Sequence, residues 1–160
     1  MAAKQLKRAA DLIRQELMKV LSVYLRRRAH YEDLALFKSY MLLSGLALEN
    51  LVKGILVGRN PAVVSPDKFD LSRIAGSKGG HKLLEVAQQA EPTLSDDERD
   101  IRGRLATFMI WAEKCPIHLK SSETVHPSFV STDPEFVDNL FTKFVVILEQ
   151  ENPTLTVGFV

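Results

Sequence analysis

Cysteine is almost missing from this chain of 160 residues: Cys115 stands alone. No intrachain disulfide can form, which fits a reducing compartment and argues against secretion. An unbroken apolar h-region is missing too. The first twenty residues, MAAKQLKRAADLIRQELMKV, carry a charge every few positions, unlike a signal peptide. Internal repeats and low-complexity tracts are absent. No Ser-His-Asp order, paired-carboxylate pocket or glycine-rich nucleotide loop stands out, and no cofactor is implied. These absences leave an expectation of a cytoplasmic protein. Its length is that of one domain with a real core. The apolar (46%) and charged (26%) fractions are those of ordinary globular proteins.

What is present begins with Met41 to Val57, MLLSGLALENLVKGILV, an apolar run of helical length. It approaches the minimum for a membrane span. Glu49, Asn50 and Lys53 near its centre argue against insertion and for a buried core helix, so no membrane partner is expected. A buried charge costs several kcal/mol unless it is paired. Glu49 and Lys53 are spaced i, i+4 in the favourable orientation, and an intrahelical ion pair is the simplest reading. The alternative is a polar cluster in a cleft between the second and fourth helices, where Arg104 or Lys114 would join them. Asn50 points about 100° away from Glu49 and is expected to bond a backbone group or a dimer partner.

The net charge of +1 conceals an asymmetry. Residues 1–28 hold eight basic groups and two acidic ones, Asp11 and Glu16, so this segment is +6 and the remainder −5. Lys19, Arg26, Arg27 and Arg28 are the candidates for phosphate contact with nucleic acid. A solvated helix face is the simpler account, and the arginine cluster also complements the C-terminal end of a helix dipole.

Leu6, Ala10, Ile13, Leu17, Val20 and Tyr24 form one apolar stripe and predict a first helix over about 3–28. A second runs over about 32–57, with Gly58 placed to end it in a left-handed conformation and Pro61 to block continuation. A long connection follows to Gly80. His81 to Ala90 reads as a short third helix. Ser95 and Glu98 form a capping box for a fourth, which runs to about Lys114. Thr132-Asp133-Pro134-Glu135 starts a fifth, which reaches about Glu151. The expectation is an all-α, up-and-down bundle of about five helices over 1–151, its first two helices long and antiparallel, with a tail over 152–160.

Other candidates have modest readings. His81 follows two glycines at a helix start, where an anion could bind with help from Lys78 and Lys82. Packing or capping is the simpler reading. Arg99, Arg102 and Arg104 read as a solvated, salt-bridged face. Cys115, His118 and His126 lack a fourth ligand, so no metal site is predicted. Trp111 reads as a core or interface anchor.

Three segments resemble the HEPN superfamily of small helical bundles. They are LLSGLALENLVKGILV, then GGHKLLEVAQQA with its Gly-His-x-Leu-Leu opening, then LSDDERDIRGRLATFMIWAEKCPIHL. The third is similar to a capped helix leading to Trp-x-Gly-Arg-Tyr-Pro, of which only Trp111 and Pro116 match outright while Lys114 keeps a positive charge. The likeness covers about 40–119. Many members are dimeric, metal-independent ribonucleases marked by arginine, four to six residues, then histidine. That pattern is missing here. Three residues separate Arg26 from His30 and seven separate Arg73 from His81, while thirteen separate Arg104 from His118 and twenty-one separate it from His126. The resemblance therefore implies a non-nucleolytic homodimer that binds a macromolecule, a protein or RNA, in a bacterial defence or toxin–antitoxin setting. The rival is a ribonuclease or nucleotide-transferring enzyme with a rearranged site built from Glu49, Lys53, His81, Arg104 and Lys114.

Overall fold

In a computed structural model, the chain is an all-α bundle, with five α-helices among the described residues. The structure describes residues 2–24, 31–65, 68–69, 83–113 and 132–152. Helix α1 spans Ala2–Tyr24, α2 Tyr31–Arg59, α3 Leu83–Ala90, α4 Asp96–Glu113 and α5 Asp133–Glu151. Between α2 and α3, Pro61–Val63 make one 3-10 turn. Val64 and Ser65 pair antiparallel with Phe69 and Lys68, a two-residue ladder too short to count as a sheet.

Helix α2 is the hub. It packs against α1, α3, α4 and α5, while contact among those four is sparser. Tyr40, Met41, Ala47, Leu48, Leu51, Val52, Ile55 and Leu56 are all buried on it, on more than one face. A helix apolar all round belongs inside a bundle, and this one is enclosed as its composition demands. Its stretch Ala35–Arg59 has the length and hydropathy of a membrane span, yet more than half of it is covered by protein. By contrast, α1 is strongly amphipathic: Ala3, Ala10 and Leu17 are buried and Leu6 and Ile13 half-buried, all on the predicted side.

Ion pairs fix the helix directions. Lys7 and Arg14 of α1 both reach Asp138, while Lys4 and Arg8 lie beside Phe141 and Val145, so α1 runs against α5. Glu98 and Arg104 of α4 meet Lys143 and Asp133, so α4 also runs against α5. Arg59 and Glu151 join the ends of α2 and α5, which are parallel. The result is up-and-down, with α1 antiparallel to α2 as expected.

Local sequence explains most boundaries. The capping box at α4 closes both ways: the Ser95 amide donates to Glu98 Oε2 at 2.7 Å, and the Glu98 amide donates to Ser95 Oγ at 3.2 Å. Gly58 departs from its expected role. Its backbone is not left-handed, and α2 continues through it to Arg59. Its missing side chain instead makes room for the Asn152 carboxamide, which occupies the space a Cβ would need. Gly45 does the same deeper in the core, where a Cβ would stand 2.7 Å from Met109 Sδ and 3.4 Å from the Leu105 carbonyl oxygen. Beside that close approach of α2 and α4, Phe37 and Phe108 meet edge to face at 5.1 Å.

At the opposite end of the bundle from Tyr40, Arg59 clasps three helices. Its Nε and Nη2 donate to the two Glu151 oxygens at 2.7 and 2.6 Å, and its Nη1 donates to the Gln89 carbonyl of α3 at 3.2 Å. The hydrogen bonds from Arg59 hold the Glu151 carboxyl below its ordinary range. Burial raises the Glu98 carboxyl, but the Ser95 amide and the Lys143 ammonium outweigh it and the net shift is downward.

Two outcomes follow from this packing. Gly45→Ala gains about 1 kcal/mol of helix propensity but overfills the α2–α4 contact, which costs about 1–3 kcal/mol. It should therefore destabilise the wild-type chain in urea unfolding, and stabilise a Met109→Ala background where the room exists. Glu151 titrates lower in the folded state than in the unfolded chain, so its contribution is complete above about pH 5 and fades as pH falls through the folded value. Glu151→Gln should lose about 1 kcal/mol at pH 7, a modest figure because the pair is a third exposed, and lose nothing near pH 2. A deficit that persists unchanged in acid would show that the clasp acts through packing instead of charge.

Candidate functional site

Three groups of charged side chains lie within the bundle. The first is on α2. Lys53 Nζ and Glu49 Oε1 are 2.7 Å apart, with the Glu49 side chain 2% exposed and that of Lys53 24% exposed. One turn of helix brings the pair together, and the lysine stem carries its ammonium toward water. Asn50 is exposed and donates to the Leu46 carbonyl at 2.9 Å, satisfying a backbone group as expected.

The second group joins α4 to α5. Arg104 Nη2 lies 2.8 Å from Asp133 Oδ1 and 3.1 Å from Asp100 Oδ2. Asp133 is wholly buried, so this pair is a solvent-shielded link near the start of α5. Arg104 thus serves Asp133 and Asp100, and it does not join Glu49 and Lys53 in a common cleft. The expected solvated arginine face of α4 is also corrected. Arg99 is exposed and pairs with Asp96, but Arg102 is buried at 8% and Arg104 largely so. Arg102 lies toward α3, its terminal nitrogens 3.4 and 3.5 Å from the Gln88 amide oxygen. Burial first, and then Arg99, lower its proton affinity, while Glu85 partly offsets them. Arg102, Leu105, Ala106 and Met109 share the three–four spacing of a buried face, the signal that charge counting overlooked.

The third group was not foreseen from the sequence. Asp138 of α5 accepts from both Lys7 and Arg14 of α1, and Lys7 also bonds Asp11 on its own helix. Lys7 Nζ sits 5.7 Å from the centre of the Phe141 ring, within cation–π range. Lys7 and Arg14 are seven residues apart, two turns, which puts both on the α5-facing side. Below this group lies Tyr40 of α2, fully buried, with Ser44 one turn away. Neither hydroxyl has a fully formed hydrogen bond among the described residues. Burial raises the Tyr40 phenol well above its ordinary value; the neighbouring Ser44 hydroxyl works the other way, and the charges of Asp138, Arg14 and Asp11 reach it.

Next to the third group, a groove of about 360 Å³ opens between α1 and α5, lined by Lys4, Lys7, Arg8, Asp11, Phe141 and Val145. Its volume falls at the lower end of ligand-pocket sizes. Lys7 and Asp11 are committed to ion pairs. Lys4 and Arg8, exposed and one turn apart, have no ion-pair partner among the described residues.

Of the remaining sequence-predicted positions, Lys19 is exposed on α1 and pairs with Glu16 at 2.6 Å. Arg26, Arg27, Arg28, His30, Lys78, His81, Lys82, Lys114, Cys115, His118 and His126 lie outside the described residues. The backbone of Trp111 is in α4, but its side chain also lies outside the description. Among the described residues no cluster of three or more His, Cys, Asp or Glu could hold a metal ion.

Breaking the buried Arg104–Asp133 pair from one side should be costly. Asp133→Ala leaves a mostly buried guanidinium with only the exposed Asp100 as counter-ion, and a loss of about 3 kcal/mol is expected in urea unfolding. The double change Arg104→Met with Asp133→Leu removes both charges and should recover most of that loss. If the double variant is the worse of the two, the pair stabilises the fold by more than mutual neutralisation.

Comparison with family models, with curated proteins and with solved structures finds no match to this chain, so the site is interpreted from its own chemistry.

Proposed function

We propose that this chain is a non-catalytic association module of the HEPN type. It forms a homodimer and binds a macromolecular partner, a protein or RNA, in a bacterial defence or toxin–antitoxin setting. The reading is carried by one observation: the interior charges of Glu49, Lys53, Arg104 and Asp133 are committed to ion pairs, whereas Lys4 and Arg8, which have no ion-pair partner among the described residues, face outward. Glu49 is paired with Lys53, and Arg104 with Asp133 and Asp100. A general acid must give, and a general base must take, a proton at the reacting atoms, and these groups are engaged with one another instead. Lys4 and Arg8 give α1 an outer basic face suited to phosphate, while the exposed Lys19 is paired with Glu16. Leu12 and Met18 on the same helix are exposed apolar residues, which favour association along α1.

Light scattering at micromolar protein should give twice the chain mass, and Leu12→Lys with Met18→Lys should return it to one. A single-stranded oligoribonucleotide should bind with an affinity that falls steeply with salt, with each phosphate contact adding about 0.7 to the log–log slope. Lys4→Gln with Arg8→Gln should flatten that slope by about 1.4. A strict monomer that shows no salt-dependent RNA binding and captures no protein partner would remove the reading. RNA cleavage abolished by Arg104→Ala would restore the enzymatic alternative.

A further inference from the structure

We infer that the α1–α5 groove is a binding site for a small amphipathic carboxylate: an apolar body of medium-chain or single-ring size that carries one anionic head. Four of the six lining residues are charged, yet the groove has an apolar floor. Phe141 and Val145 supply it, and the methylene stems of Lys4, Lys7 and Arg8 flank it; Lys4 and Arg8 are exposed, whereas the Lys7 ammonium is held by Asp11 and Asp138.

The charges select the sign of the ligand. Around the groove stand four cations, Lys4, Lys7, Arg8 and Arg14, against two anions, Asp11 and Asp138, an excess of +2. Asp11 and Asp138 are neutralised by Lys7 and Arg14, so neither presents a free negative charge to an entering anion. Those pairs also close one end of the groove, since Asp138 lies one turn before Phe141 on α5. The surplus is left on Lys4 and Arg8, spaced i, i+4, so that their charged ends can converge on one carboxylate.

The walls select the body. Among the described residues no uncharged polar side chain lines the groove. Its unpaired polar groups are Lys4 and Arg8, which the anionic head engages, so the base edges or sugar hydroxyls of a body lying deeper would be buried without partners, which is unfavourable. An alkyl chain or a plain ring asks for no partners. The groove is open to solvent along one side, and its ~360 Å³ lies at the lower end of ligand-pocket sizes, which suits a body of medium-chain or single-ring size. The face of Phe141 that meets Lys7 is already occupied, so the ligand lies along the remaining ring surface toward Val145.

The probes are decanoate, its neutral counterpart decanol, inorganic phosphate, and a short single-stranded oligoribonucleotide. Titrations would be followed by calorimetry and by amide chemical shifts of the full chain. Decanoate should bind in the micromolar to low millimolar range and move the amides of residues 4–11 and 138–145. Decanol and phosphate should each bind at least tenfold more weakly, because each supplies only half of the recognised chemistry. Lys4→Gln with Arg8→Gln, both exposed positions, should weaken decanoate at least tenfold with helicity unchanged. Phe141→Ala should weaken decanoate and decanol together, and Val145→Glu repeats that test from the groove wall if Phe141→Ala compromises folding. The inference is overturned if decanoate shows no saturable binding, if decanol matches it, or if the Lys4, Arg8 variant binds as well as the wild type. It is also overturned if the oligoribonucleotide displaces decanoate while shifting these same amides at lower concentration, which would assign the groove to RNA. RNA that contacts Lys4 and Arg8 at the rim without shifting the amides of residues 138–145 leaves the inference standing, so the two readings fail separately.

Discussion

Everything in this molecule is arranged around the burial of one helix. α2 is apolar on most of its circumference, and removing that surface from water is the dominant favourable term in forming the bundle. The requirement is met by four helices at once, α1, α3, α4 and α5. A helix enclosed on every side must also dispose of whatever polar groups it carries. Glu49 is held by Lys53 one turn on, and Tyr40 and Ser44 place their hydroxyls side by side. Gly45 and Gly58 are the matching concessions in shape, one admitting Met109 and the other Asn152.

The outer helices are then joined by charge where they cannot be joined by apolar contact. Asp138 draws α1 to α5, Asp133 holds α4 to α5, and Arg59 closes the far end through Glu151 and the α3 carbonyl. These links fix the direction of each helix, since each cation can reach its carboxylate in only one relative orientation. They also consume most of the charged groups that would otherwise be free for chemistry. Among the described residues, what remains available at the α1–α5 groove is Lys4 and Arg8, with a few exposed apolar side chains on α1, α4 and α5.

The helices themselves were legible along the chain because their signals are local. The three–four recurrence of Leu6, Ala10, Ile13 and Leu17 specifies a face without reference to any neighbour, and the Ser95–Glu98 cap is complete within four residues. The Glu49–Lys53 pair was readable for the same reason. Arg102 and Arg104 were misread as solvated because their surroundings come from α3 and α5. Gly58 was misread because a glycine near a helix end has two uses, a left-handed turn or room for a neighbour, and only Asn152 distinguishes them. Asp133 looked like part of a helix start, and its burial depends on an arginine 29 residues earlier.

By itself, then, the sequence determined the all-α class, the number and approximate bounds of the helices, and the identity of the central one. Each depends on periodicity, capping and hydropathy within a few turns of the chain. Tertiary structure decided which charges are spent on one another, which glycines are packing devices, and where a groove with two free cations opens. Those outcomes depend on distances between residues such as Lys7 and Asp138, far apart in sequence and brought together only once α2 has been surrounded.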